Sequence, residues 1–84
     1  ARFPDAEIED AGTSVIIPGL VNCHSHLEIT AMRGMLDDVE NDFAAWLLRL
    51  NAIRSSLTED RLYAAAVNGA REGIRAGVTC FGDI

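Results

Sequence analysis

The sequence predicts an α/β fold that is built around parallel strands. Short β-branched and apolar segments at residues 14–17 and 20–24 precede two helical segments, and another apolar strand follows at residues 78–81. A strand followed by helices and then by a second strand is the building block of parallel α/β folds. A parallel sheet is buried on both faces, so two strands do not complete one. We therefore expect the chain to be a fragment of a larger domain.

Two helices are predicted between the strands. The first covers residues 42–54, with Asp42 as its N-cap, and its many apolar residues predict burial on much of its circumference. Thr58 is placed to cap the second helix, and Gly77 is placed to end it. The apolar residues that recur at helical spacing predict the buried face of the second helix: Leu62, Ala66, Ala70 and Ile74.

Loops are predicted for the segments outside these elements. Residues 1–11 are polar and acidic, which is typical of a loop or an edge strand, and Pro18-Gly19 breaks the chain between the first two strands. Residues 26–40 carry no clean period, so we expect a long loop with one helical turn at most. A loop of that length is usually functional or disordered.

Composition argues against nucleic acids and membranes as partners. The net charge is −6 and the seven basic residues are all arginines spread singly along the chain, whereas phosphate binding needs clustered cations. No apolar run reaches the roughly 20 residues that span a bilayer, and no signal peptide is visible, although the chain does not begin with Met. Cys23 and Cys80 predict no disulfide framework and are expected to be buried thiols in a cytoplasmic protein.

His24 and His26 are the candidate metal ligands. Residues two apart on a strand point to the same side, so both imidazoles can reach one ion. They also follow a strand, at the end where parallel barrels build their active sites. The spacing by itself is weak evidence, because one histidine could be satisfied by backbone and the other by solvent. From the spacing alone, both interpretations stay open.

Residues 17–26, IPGLVNCHSH, resemble the signature of the amidohydrolase superfamily, and more narrowly its nucleobase- and triazine-deaminating branch. That branch includes methylthioadenosine/S-adenosylhomocysteine deaminases. Arg33-Gly34, the FAAWL of residues 43–47 and the GVTCFGD of residues 77–83 resemble further features of the branch. The resemblance covers nearly all of residues 9–84.

The resemblance implies a fold. Residues 18–84 would form the first βα unit and second strand of a metal-dependent (β/α)8 TIM barrel. Residues 1–17 would be the end of a small N-terminal β-sandwich that the chain leaves to enter the barrel. The remainder of the barrel would then be supplied by polypeptide beyond this segment.

The resemblance also implies a mechanism. His24 and His26 would hold one divalent ion, with Zn²⁺ expected and Fe²⁺ as the alternative, which lowers the pKa of a bound water toward 7. The hydroxide would attack a ring carbon bearing an amino group, and ammonia would leave. The catalytic residues, together with two further histidines and an aspartate that bind the metal, are expected downstream of Ile84. The segment alone is therefore not expected to be active.

Three residues are candidate substrate contacts. Glu28 continues the alternation of the histidines, and Arg54 stands eight positions after Trp46, an arrangement that resembles the aminodeoxyfutalosine deaminase group. Methylthioadenosine/S-adenosylhomocysteine deaminases usually carry a ribose-binding glutamate at the position of Ser55. Each candidate also has a structural interpretation: Glu28 as an ion-pair partner of Arg33, Trp46 as core, and Arg54 as a favourable charge at a helix C-terminus.

The function that follows is hydrolytic deamination of a purine-like or other heterocyclic amine, with a small molecule as substrate. The alternatives are hydrolysis of a C–Cl or cyclic amide bond on a similar ring, a non-catalytic homologue, and a small binding module complete at 84 residues. A homo-oligomer is left open. We expect Asp83 at the end of the second strand to hydrogen-bond the loop above it.

Overall fold

The computed structural model describes residues 2–84 and contains two strands and two α-helices. Two short 3₁₀-helices, Leu27–Met32 and Asp37–Val39, lie in the connection between the first strand and the first α-helix. The main elements in chain order are β1 (Leu20–Ser25), α1 (Phe43–Ser56), α2 (Glu59–Arg75) and β2 (Val78–Asp83).

The two strands pair in parallel, which confirms the predicted order of strand, two helices and strand. Leu20 faces Val78 at one end of the ladder, and Ser25 faces Asp83 at the other. Because the strands are parallel, their carboxyl ends lie together at the edge where residues 25 and 83 meet. Residues that are far apart in sequence are thereby brought to one site.

The predicted helix ends are confirmed. The Asp42 carboxylate accepts a hydrogen bond from the Ala45 amide at 3.0 Å, and the Thr58 hydroxyl accepts one from the Arg61 amide at 3.4 Å. These bonds satisfy amides that have no partner inside their own helix. Gly77 has a φ of 90°, the left-handed conformation that ends a helix and that glycine adopts without steric cost.

The buried face of α2 is shifted from the predicted one. Ala65 and Gly69 are the buried residues, whereas Ile74 is 63% exposed and Leu62, Ala66 and Ala70 are half-buried. A side-chain carbon at Gly69 would lie 2.7 Å from the Leu27 carbonyl oxygen, so the 3₁₀-helix packs directly on the helix backbone. The predicted face differs from the observed one because the prediction was based mainly on large apolar side chains. The contact between α2 and the 3₁₀-helix depends instead on the small residues Ala65 and Gly69.

A small core joins the 26–40 connection to α1. Met32, Leu36 and Leu50 are buried together, and the half-buried apolar residues packed around them are Ile29, Trp46, Ile53 and Leu57. The connection therefore contributes to packing as an ordered segment. Within α1 Leu50 is the one buried residue, while Phe43 and Leu48 are exposed, so the prediction of a helix buried on much of its circumference was wrong. Its core-facing stripe is narrow because, within residues 2–84, the element packed against it is mainly the 26–40 connection.

The predicted strand at residues 14–17 is absent from the described part of the chain. Residues 2–19 form no helix or strand, and Val15, Ile16 and Ile17 are exposed. A β-branched segment needs a neighbouring strand to satisfy its backbone, and none pairs with it within residues 2–84. The radius of gyration is 19.1 Å, against about 12 Å for a compact domain of this length. The sandwich role of residues 1–17 stays a prediction.

The two cysteines are free and exposed, which corrects the expectation that they are buried. Phe81 lies under α2, since a side-chain carbon at Gly73 would collide with its ring. Neighbouring strand residues point to opposite faces, so Cys80 points to the face that α2 does not cover. Neither α1 nor α2, nor any other helix within residues 2–84, has the length and apolar character needed to cross a membrane.

We predict that Gly69→Ala destabilises the full-length protein by about 1–3 kcal/mol, because the new methyl group overpacks the contact with Leu27. At an exposed helical position the same change would stabilise by about 1 kcal/mol. Urea unfolding measures the free energy, with the neighbouring exposed Asn68→Ala as control, expected within about 0.5 kcal/mol of wild type. A stabilising Gly69→Ala would contradict the packing described above.

Candidate metal centre

The histidine pair lies where β1 ends. His24 is within the strand and His26 is one residue beyond it, and both side chains are exposed. Asn22 faces Phe81 and Ser25 faces Asp83, so β1 has one more residue than β2 between these pairs. Such an irregularity bends the strand and changes the direction of its side chains. It falls on Cys23 and His24, immediately before the loop that carries His26.

The two imidazoles converge through their Nε2 atoms, which are 3.2 Å apart, with the rings nearly perpendicular at 80°. Two nitrogens at the usual zinc–nitrogen distance, with tetrahedral geometry, would be separated by about 3.3 Å. The separation of the pair therefore matches that of two ligand positions around one ion. Simple strand alternation predicted only that the rings share a side.

The other nitrogen of His26 is held by the backbone. Nδ1 lies 2.7 Å from the carbonyl oxygen of Ile84, and because a carbonyl only accepts, Nδ1 carries the proton and donates. In the neutral ring this leaves the lone pair on Nε2, the atom that faces His24. A hydrogen bond of this kind commonly orients metal-binding histidines and fixes their tautomer.

The end of β2 also fixes the backbone around His26. The Oδ1 atom of Asp83 accepts a hydrogen bond from the Leu27 amide at 2.9 Å and another from the Ser25 hydroxyl at 3.3 Å. The Ile84 amide donates to the Ser25 carbonyl at 3.1 Å. The expected contact between Asp83 and the loop above it is confirmed. A side-chain carbon at Gly82 would lie 2.6 Å from the Cys23 carbonyl oxygen, so the strands approach closely here.

Two of the three candidate substrate residues are brought together. A guanidinium nitrogen of Arg54 lies 3.2 Å from a Glu28 carboxylate oxygen, and the Glu28 side chain is only 14% exposed. Arg33, the alternative partner of Glu28, instead pairs with Glu72 at 2.6 Å. That contact lowers the pKa of the Glu72 carboxyl and raises the pKa of Arg33, through hydrogen bonding first and charge attraction second.

Trp46 belongs to the core rather than to the histidine pair in this structure. It is half-buried against the cluster of Met32, Leu36 and Leu50, and its ring stacks on Phe43 at a centroid distance of 6.1 Å. This packing accounts for its position in α1. A substrate contact for Trp46 stays a prediction.

The two histidines do not form a complete metal site within the described residues. Among residues 2–84, no three His, Cys, Asp or Glu side chains are placed so that they could hold one ion. Zinc sites in proteins are usually four-coordinate, so the pair supplies at most half of such a site. The predicted catalytic residues beyond Ile84 lie outside the chain and stay a prediction.

Sequence reasoning missed two backbone contacts of the pair. The Asn22 side chain accepts a hydrogen bond from the His24 amide at 3.2 Å, a local bond typical of asparagine two residues before its donor. The spacing of Asn22 and His24 could have indicated it. The Ile84 carbonyl that orients His26 has no side-chain signal, because any residue at that position provides it.

The sequence matches the model of one protein family and several curated proteins. The model of the amidohydrolase family matches residues 15–84. The chain is 36% identical to a 5-methylthioadenosine/S-adenosylhomocysteine deaminase of Nitratidesulfovibrio vulgaris, over 100% of the chain and 19% of that protein. It is 40% identical to a 5'-deoxyadenosine deaminase of Methanothrix thermoacetophila, over 99% of the chain and 20% of that protein.

A 5-methylthioadenosine/S-adenosylhomocysteine deaminase of Haloarcula marismortui is 41% identical over 89% of the chain and 17% of its own length. The chain thus spans about a fifth of the length of the curated relatives that it matches. No solved structure matches it significantly.

We predict a coupling energy of about 1 kcal/mol between Glu28 and Arg54 in a double-mutant cycle of alanine variants, because a largely buried carboxylate loses its counter-charge when Arg54 is removed. The matched control is Asp38 and Arg49, which are 3.9 Å apart and mostly exposed, with an expected coupling near zero. Urea unfolding of the full-length variants provides the energies. Equal coupling in the two pairs would contradict a special role for burial at Glu28.

Proposed function

The chain belongs to the amidohydrolase family, and from that premise we propose that it is the opening part of a metal-dependent enzyme that hydrolytically deaminates a purine-like amine. The observation that carries the proposal is the convergence of His24 and His26, whose Nε2 atoms are 3.2 Å apart. The backbone bond from His26 Nδ1 to Ile84 supports it, because in the neutral ring this bond leaves the lone pair on Nε2, the atom that faces His24.

The placement of the pair supports a barrel. Parallel barrels carry their active sites on the loops that follow the carboxyl ends of the strands. His26 lies in the loop after β1, and Asp83 ends the neighbouring parallel strand, so both stand at that edge. On this proposal β1 and β2 are the first two strands of a (β/α)8 barrel, and residues 1–17 end a preceding β-sandwich. The remaining strands complete the barrel from further polypeptide.

We propose Zn²⁺ as the metal, with Fe²⁺ as the alternative, and imidazole ligands suit both ions. A divalent ion bound here would act as a Lewis acid and lower the pKa of water toward neutrality. This chain's own contribution is to hold two imidazoles at ligand separation. The further ligands and the proton-transferring residue belong to the proposal and are expected downstream of Ile84.

For the substrate, we favour adenosine derivatives modified at the 5' position. The relatives described above are named for deamination of 5-methylthioadenosine, S-adenosylhomocysteine and 5'-deoxyadenosine. Glu28 and Arg54 are the proposed substrate contacts: Arg54 is 53% exposed, so its guanidinium keeps donors free while Glu28 orients it. Ser55, in place of the ribose-binding glutamate of one subgroup, leaves open which derivative is preferred. A cytoplasmic location and a homo-oligomer remain part of the proposal.

The metal role predicts that the double variant His24→Ala/His26→Ala of the full-length protein loses bound Zn²⁺ from near one equivalent to below about one tenth. The loss is expected because two of the four ligands of the site are removed. Elemental analysis after dialysis measures the zinc content. The control is Glu40→Ala, which removes an exposed carboxylate elsewhere and should leave the metal content unchanged. Full zinc occupancy in the double variant would refute the proposed metal role.

The reaction predicts ammonia release from 5'-modified adenosines by the metal-loaded full-length protein, together with the spectral change from adenine to hypoxanthine. Unmodified adenine and a chlorinated purine serve as comparison substrates. Release of chloride without ammonia would instead favour hydrolysis of a C–Cl bond. A metal-loaded protein that attacks none of these rings would favour a non-catalytic homologue.

A further inference from the structure

The carboxylate of Asp83 is the one side chain of β2 that reaches across to the segment carrying His26. Its Oδ1 accepts from the Leu27 amide at 2.9 Å and from the Ser25 hydroxyl at 3.3 Å, although these residues are 56 and 58 positions away in sequence. Ser25 and Leu27 are the two neighbours of His26. One oxygen atom thus contacts both neighbours of a candidate ligand, the backbone of Leu27 and the side chain of Ser25, whose hydroxyl also lies 3.3 Å from the Gly82 carbonyl oxygen.

The next residue holds the ring itself. The Ile84 carbonyl accepts from His26 Nδ1 at 2.7 Å, and the Ile84 amide donates to the Ser25 carbonyl at 3.1 Å. His26 needs such support because it stands beyond the last residue of β1, where the ladder to β2 no longer fixes the backbone. His24 lies inside the strand and is already constrained by it.

We propose that Asp83 is a positioning residue for the metal pair: by fixing residues 25 and 27 it sets the direction of His26 so that its Nε2 meets the same ion as that of His24. The inference rests on the metal role of the two histidines proposed above. On this proposal Asp83 acts through its hydrogen bonds to the Leu27 amide and the Ser25 hydroxyl, and not as a ligand. It also belongs to no three-residue group within residues 2–84 that could hold an ion.

The charge of Asp83 is not required by this role, but the acceptor atom at the Oδ1 position is. Asparagine keeps an oxygen acceptor at the same distance along the side chain, glutamate keeps the charge but moves the oxygen outward by one methylene, and alanine removes both. The three substitutions therefore separate hydrogen bonding from charge and from direct metal ligation.

The test measures Zn²⁺ affinity of the full-length protein by chelator competition, at a temperature where circular dichroism shows every variant folded. Asp83→Ala and Asp83→Glu should bind zinc roughly 10- to 100-fold more weakly, the usual effect of losing a group that orients a ligand. Asp83→Asn should stay within a few-fold of wild type. If Asp83→Ala does not fold, the contrast between the asparagine and glutamate variants carries the test.

The matched control is Asp42→Ala. Asp42 also accepts a hydrogen bond from a backbone amide, that of Ala45 at 3.0 Å, but it caps α1. Its loss should lower thermal stability and leave zinc affinity unchanged. Weak binding in Asp42→Ala equal to that in Asp83→Ala would show that general destabilisation is responsible and overturn the inference.

Other outcomes are equally decisive. Wild-type affinity in Asp83→Ala or in Asp83→Glu would overturn the positioning role, and weak binding in Asp83→Asn would show that the charge matters instead of the acceptor. If the double histidine variant keeps its zinc, the proposed metal site itself fails. If that variant loses zinc while Asp83→Ala keeps it, only the inference about Asp83 fails.

Discussion

The parallel pairing of β1 with β2 at their carboxyl ends is the contact on which the site depends. It places Ser25 beside Asp83, and from this register follow the bonds of Asp83 to the segment around His26 and of Ile84 to its ring. A shift of one residue would turn these side chains to the opposite face and remove the bonds. The two helices between the strands make this register possible because they return the chain to the edge where β1 begins, so that β2 runs parallel to it.

Small residues of α2 form its contact with the segment that follows the histidines. Ala65 and Gly69 let the 3₁₀-helix Leu27–Met32 approach the backbone of α2, and the Thr30 hydroxyl donates to the Ala65 carbonyl at 2.7 Å. The segment that follows the histidines thus contacts α2 through Leu27 and Thr30, and it contacts β2 through the hydrogen bond from the Leu27 amide to Asp83. Its far end is anchored by the core of Met32, Leu36 and Leu50. The site therefore rests on a connection that carries little regular structure but many specific contacts.

Much of this arrangement could be predicted from the sequence, because its signals are local. Asp42, Thr58 and Gly77 mark helix ends through side-chain and backbone chemistry that acts over three or four residues. His24 and His26 were identifiable because strand alternation is equally local. The resemblance added the family, which no composition or spacing in a chain this short could provide.

What could not be predicted depends on contacts distant in sequence. Glu28 pairs with Arg54 and not with Arg33, a choice made by how the 26–40 connection packs on α1. Cys80 and the β-branched residues 15–17 were expected in covered strands, but within residues 2–84 no element covers Cys80 and no strand pairs with residues 15–17. An apolar pattern indicates that a residue suits a buried strand. Whether another element covers that strand depends on residues distant in sequence.

The separation between His26 and the groups that orient it has a consequence for the timing of assembly. His26 and the Ile84 carbonyl stand 58 positions apart. During synthesis the histidines leave the ribosome well before β2 does, and in that interval His26 has neither a fixed tautomer nor a fixed direction. A metal ion met by the growing chain would find two loosely placed imidazoles. On the metal role proposed above, the pair would acquire its ligand geometry when β2 docks, and metal capture would follow the folding of this unit.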